Sequence, residues 1–185
     1  SPKIDDYTRR ALQQIVSTPD GRKLISIVDP FESRHKIKVP TLIMLGSQDP
    51  YWTARAHTLY MDKLLAPTSL AIFPNKGHEL ESAQIRSLCA FALCVARGKE
   101  FPQVRWAFNR VTTSMPAAGT ATLWTANDAR AMFSEARFQS KLLKNLSDVQ
   151  VPKPEAGKVA ASFVEVPFEI EGIRYSVTSQ VRISR

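Results

Sequence analysis

The sequence predicts an α/β architecture in roughly the first hundred residues, followed by a small antiparallel, β-rich unit. Three observations lead there. Helix-like and strand-like patterns alternate through residues 1–101, as βαβ units and a parallel sheet require. The strand-like runs in that part are continuously apolar, the composition of strands covered on both faces. Beyond Phe101-Pro102, short stretches rich in Val, Ile, Phe, Trp, Tyr and Thr are separated by turn formers. The expected division is therefore 1–101 and 102–185, with a sandwich-like second part.

Taken in order, Asp6 to Val16 reads as a helix, broken at Thr18-Pro19-Asp20-Gly21. An apolar pattern resumes at Leu24 to Val28 and stops at Asp29-Pro30. Val39 to Leu45 is a compact apolar strand closed by Gly46. Thr53 is placed to cap a helix over Ala54 to Leu65, which Pro67 ends. Ser69 to Phe73 is a second buried strand, closed by Pro74-Asn75-Lys76-Gly77. The helix over Ser82 to Arg97 is apolar almost all round and should be largely covered. In the second part, strands are expected at Gln103 to Asn109, Ala121 to Thr125, Val159 to Phe168 and Ile173 to Ile183. A helical insert is expected around Asp128 to Leu143. The alternation in Phe163 to Phe168 and Tyr175 to Ile183 predicts one buried and one wet face.

Composition excludes several functions. The chain has 185 residues, 44% hydrophobic, enough for a real core. No apolar run is long enough to span a bilayer, and Ser1-Pro2-Lys3-Ile4 shows no export-signal organisation. The net charge of +8 is split evenly, with 14 Lys/Arg against 10 Asp/Glu in 1–101 and 11 against 7 in 102–185. A nucleic-acid protein concentrates such charge, so no nucleic-acid partner is expected. Cys89 and Cys94 point in different directions on one helix and read as small buried hydrophobes. No metal site and no cofactor are expected.

In a parallel sheet the working residues lie in loops just past the carboxyl ends of strands. Two loops qualify, Gly46-Ser47-Gln48-Asp49-Pro50 and Pro74-Asn75-Lys76-Gly77-His78, and each holds one acid–base residue. Asp49 precedes His78 by 29 residues. An acid followed by a histidine after adjacent strands is the order found in α/β-hydrolase triads. Gly77 is read as the small residue that lets the histidine loop turn tightly. Tyr51 and Trp52, next to the acid, are candidate substrate-binding residues or packing residues. Glu79 reads as a helix-start residue, Trp106 and Trp124 as core, and His35 and His57 as surface residues. A nucleophile elbow is absent. Two residues after the seven glycines stand Lys23, Gln48, Glu79, Glu100, Ala121, Val159 and Arg174, none of them a nucleophile of the required kind.

Val28-Asp29-Pro30-Phe31, Val39-Pro40-Thr41-Leu42-Ile43, Gly46-Ser47-Gln48-Asp49-Pro50-Tyr51-Trp52 and Phe73 to Leu80 resemble the PhoPQ-activated pathogenicity-related protein family. Leu123-Trp124-Thr125-Ala126 with Asp128-Ala129-Arg130, and the stretch around Phe163-Val164-Glu165, are similar to that family's C-terminal extension. The resemblance implies the C-terminal part of an α/β-hydrolase parallel sheet with helices, followed by the β-rich extension. It implies Asp49 as triad acid, His78 as triad base and a serine upstream of this chain, acting on an ester or amide in a small-molecule or peptide substrate. It allows an exported or periplasmic protein. The alternative is a catalytically inactive hydrolase-like binding or signalling protein whose extension makes the contacts. With the strand at 42–45 exposing an edge, the isolated chain is expected to need the upstream portion as a partner or to aggregate.

Overall fold

The computed structural model describes residues 5–79 and 81–185; Ser1-Pro2-Lys3-Ile4 and Leu80 of the histidine string lie outside the described residues. Three short helices come first, α1 (Asp5–Arg9), α2 (Leu12–Ile15) and α3 (Pro19–Val28). The single helix expected over Asp6 to Val16 is split because Ala11 takes a left-handed conformation, φ 51°. The expected break is present, since α2 ends at Ile15, and Thr18-Pro19 also starts the next helix. The Thr18 hydroxyl accepts from the Gly21 N–H at 3.1 Å, and proline fits the first helical position.

β1 (Thr41–Gly46) and β2 (Thr68–Phe73) then pair in parallel, Thr41 opposite Thr68 through Gly46 opposite Phe73. The parallel sheet expected of an α/β-hydrolase goes no further: among the described residues these two strands are its whole extent, and the other sheets are antiparallel. A parallel pair needs a crossover between its strands. Here that crossover is not the helix expected over Ala54 to Leu65 but two 3-10 turns, Ala56–Leu59 and Met61–Lys63. Local side chains take the carbonyls an α-helix would use. The His57 ring bonds the Ala54 carbonyl at 2.9 Å and the Thr58 hydroxyl donates to the Arg55 carbonyl at 2.8 Å. Such bonds compete with the i to i−4 ladder. Thr53 provides its carbonyl, not a side-chain cap, to the Ala56 N–H.

α4 (Ser82–Ala96) buries Gln84, Ser87, Ala90 and Cys94. Its other side is uncovered, with Ile85 50%, Leu88 46% and Val95 47% exposed, and Cys89 is exposed as well. The expectation of a largely covered helix with two buried cysteines fails on that side. The rest is antiparallel. β3 (Val104–Ala107) pairs with β4 (Arg110–Thr113), a strand the sequence pattern did not suggest. β5 (Thr122–Asp128), β6 (Gln139–Leu142), β7 (Val159–Ile170) and β8 (Ile173–Thr178) form a sheet in the order β6-β5-β7-β8, and β9 (Arg182–Ser184) also pairs with β7. No helix forms over Asp128 to Leu143. The Asp128 carboxylate accepts from the Arg130 and Phe133 N–H groups, and Ala131 and Phe133 are left-handed, so the chain turns repeatedly before β6.

The wet face of β7 is confined to Glu165, Pro167 and Glu169. Val164, Val166 and Phe168 enter one core with Ala90, Cys94, Phe101 and Tyr175, while Ala161 and Phe163 enter a second with Ile43, Leu70, Ile72 and Phe138. Both cores draw on residues before and after Phe101. Thr178 joins the sheets directly, accepting from the Ile72 N–H at 3.1 Å and donating to the Leu70 carbonyl at 3.3 Å. The indoles of Trp106 and Trp124 are half-buried and donate to the Gln180 carbonyl and the Glu165 carboxylate.

His57 is fully buried instead of lying at the surface. Its Nε2 accepts from the Val181 N–H at 3.2 Å, so Nδ1 carries the proton toward Ala54. Burial lowers its pKa from 6.5 to about 4. Between these values the unfolded chain takes up a proton that the folded chain refuses, so stability falls as pH drops from about 6.5 to 4. The loss amounts to about 3 kcal/mol at most, at 1.36 kcal/mol per pKa unit. Urea midpoints at pH 7 and pH 4.5 should show this decline, and His57→Gln should flatten it.

Candidate functional site

Parallel pairing places the carboxyl ends of β1 and β2 side by side, so the loops that follow them touch. The ladder runs past both strands: the Ser47 N–H donates to the Phe73 carbonyl and the Gln48 N–H to the Lys76 carbonyl, both at 2.9 Å. The buried Ser47 hydroxyl accepts from the Asn75 N–H at 2.7 Å. Asn75 holds the tight turn at φ 57°, a left-handed conformation asparagine tolerates. Gly77 has neither a positive φ nor a neighbour where its Cβ would stand, so it is not the residue that permits the turn. Gly46 is the constrained glycine: a Cβ there would lie 2.0 Å from the Gly77 carbonyl oxygen and 2.4 Å from that of Lys76.

These loops bring Asp49 and His78 together. His78 Nδ1 lies 2.8 Å from Asp49 Oδ2. The other carboxylate oxygen accepts from the N–H groups of Tyr51 and Trp52 at 2.8 and 2.9 Å. Asp49 is buried, 4% exposed, whereas the His78 side chain is 52% exposed. A carboxylate only accepts, so Nδ1 carries the proton and Nε2 of the neutral ring keeps a lone pair for another partner. The hydrogen bond to Asp49 raises the His78 pKa, helped by the charges of Asp49 and Glu79. Glu79 does not start the helix. Glu81 is the cap, in a reciprocal box with Gln84, and it also pairs with Lys76 at 2.6 Å.

Tyr51 and Trp52 lie beside the pair. The Tyr51 ring meets the His78 ring edge-on, centroids 5.2 Å apart. With Tyr7, Leu12, Gln13 and Val16 they line a groove of about 540 Å³ that opens on His78. His35 is exposed and apart from the site. Sequence reasoning missed the helical wall and the residues that brace the loops. The Asn75 side chain donates to the Phe138 carbonyl at 2.9 Å and accepts from its N–H at 2.7 Å. The Gln48 amide donates to the Ala136 carbonyl at 3.1 Å. Asn in a Pro-Asn-Lys-Gly string signals the turn; nothing in the string signals a partner 63 residues away.

The arrangement is a fixed acceptor, an oriented imidazole and an aromatic groove. Among the described residues no group of three or more His, Cys, Asp or Glu side chains is placed to hold a metal ion, and no helix is long and apolar enough to cross a membrane. Autocrine proliferation repressor protein A of Dictyostelium discoideum is 26% identical to this chain over 108 residues, 56% of the chain and 22% of that protein's length. The chain thus matches about a fifth of this relative. No solved structure matches. The family model described as PhoPQ-activated pathogenicity-related protein matches residues 1–131. With well over half of its length matched, the chain belongs to the PhoPQ-activated pathogenicity-related protein family.

Proposed function

We propose that the protein is a serine hydrolase of esters or amides, in which His78 is general base and then general acid and Asp49 is its orienting carboxylate. The 2.8 Å contact between a buried carboxylate and a half-exposed imidazole carries this reading. Nε2 takes the proton of a serine hydroxyl as its oxygen attacks the carbonyl, and returns it to the leaving group. Water then cleaves the acyl-enzyme by the same route. The serine comes from outside these 185 residues, since no Ser, Thr or Cys lines the groove among the described residues.

The decisive experiment is labelling of the full-length protein by a fluorophosphonate. The expected result is labelling of one serine, reduced at least about a hundredfold in rate by His78→Ala, given what general-base catalysis contributes. Labelling untouched by that substitution would overturn the assignment. A second reading has one observation in its favour: the relative is named for repression of proliferation, a signalling role. A folded full-length protein that never labels supports this binding role.

A further inference from the structure

Tyr51 and Trp52 are a ridge with a groove on each side. One side opens on His78. The other is a cavity of about 510 Å³ lined by Tyr51, Trp52, Arg55, Tyr60 and Arg130, among others, with no Asp or Glu in its wall. Arg55 is partly buried, and its guanidinium makes no hydrogen bond or ion pair among the described residues. With no carboxylate in the wall to neutralise it, the Arg55 guanidinium keeps its charge and its donors for another partner. Arg130 stands on the same wall, and its contact with Glu135, 3.7 Å between two well-exposed side chains, is too weak to neutralise it.

We propose that this cavity is an anion subsite, binding a carboxylate or phosphate group carried on an aromatic or aliphatic stem. Arg55 supplies the charge-assisted hydrogen bonds, Arg130 adds a second cation, and the aromatic residues receive the stem. The ridge is shared, so one molecule crosses it with its anionic end at Arg55 and a neutral end at His78. This last step rests on the hydrolase reading and makes the substrate an ester or amide bearing a negative charge away from the bond cleaved. The anion site itself does not depend on turnover.

The test is calorimetric titration of the full-length protein with 4-phenylbutyrate, phenyl phosphate and the neutral 4-phenylbutyramide. The anions are expected to bind about tenfold more tightly than the amide, the worth of one charge-assisted hydrogen bond. The ratio of the two anions identifies which group the site takes. Arg55→Gln should abolish the preference, Arg55→Lys should keep part of it, and Arg130→Gln should reduce it. Equal binding of amide and anions, no saturable binding of either anion, or a preference that survives Arg55→Gln would overturn the proposal. Those results leave fluorophosphonate labelling through His78 unchanged, whereas failure of the hydrolase reading removes labelling and leaves the anion preference.

Discussion

In Gly46→Ala, the expected result is a loss of about 3 kcal/mol in unfolding free energy, at the upper end of overpacking costs. The new methyl carbon would stand 2.0 Å from one backbone oxygen and 2.4 Å from another, and neither belongs to a side chain that can swing away. The histidine loop must retreat. The retreat strains the bond from Gln48 N–H to the Lys76 carbonyl and the one from Asn75 N–H to Ser47, the two that seat it. Gly77→Ala is the matched control. Its Cβ would meet nothing within 4 Å, so its effect should stay within about 0.5 kcal/mol. Chemical denaturation of the pair checks the claim, and equal stabilities would refute the crossing geometry.

For Asp49→Asn, the expected result is a fall of about 10⁴-fold in kcat for any substrate the full-length protein hydrolyses, the scale for losing the orienting carboxylate of such a triad. An amide does not hold Nδ1–H as a carboxylate does, so the wrong tautomer competes and the positive imidazolium loses its counter-charge. The pH profile provides a second reading. Asp49 raises the His78 pKa, and in the proposed mechanism the free base is the working form, so wild-type activity is expected to rise with pH through a point above 6.5. Without the carboxylate that limb moves to lower pH. An NMR titration of the His78 ring in both proteins measures the same shift without any substrate. A His78 pKa unchanged by Asp49→Asn would show that the contact does not govern the imidazole.

Much of this was legible in the string of residues, and the failures share one cause. Continuous apolar runs located β1 and β2, and the loops after them pointed to Asp49 and His78, because strand burial and turn chemistry are local. Parallel pairing of just two strands was not legible. The crossover between them looked helical until His57 and Thr58 turned their side chains onto neighbouring carbonyls. His57 itself read as a surface histidine because its acceptor role depends on Val181, 124 residues away. The alternation in β7 marked its wet face at Glu165, Pro167 and Glu169, but not the second core that covers the same side at Ala161 and Phe163. Gly77 attracted attention for standing next to the histidine, while of the glycines in these two loops the one with no room for a side chain was Gly46.

The hydroxyl of Thr178 gives strand β2 a hydrogen-bonding neighbour where, among the described residues, no third strand pairs with it, satisfying one amide and one carbonyl. The strand that delivers the histidine is therefore trussed from the far end of the chain, and its loop is trussed again at Phe138. Both supports lie outside the stretch, 1–131, that the family model matches. Any family member without an equivalent hydroxyl and backbone prop at those places must seat its imidazole by other means, and a substitution at Thr178 can shift His78 without touching the groove.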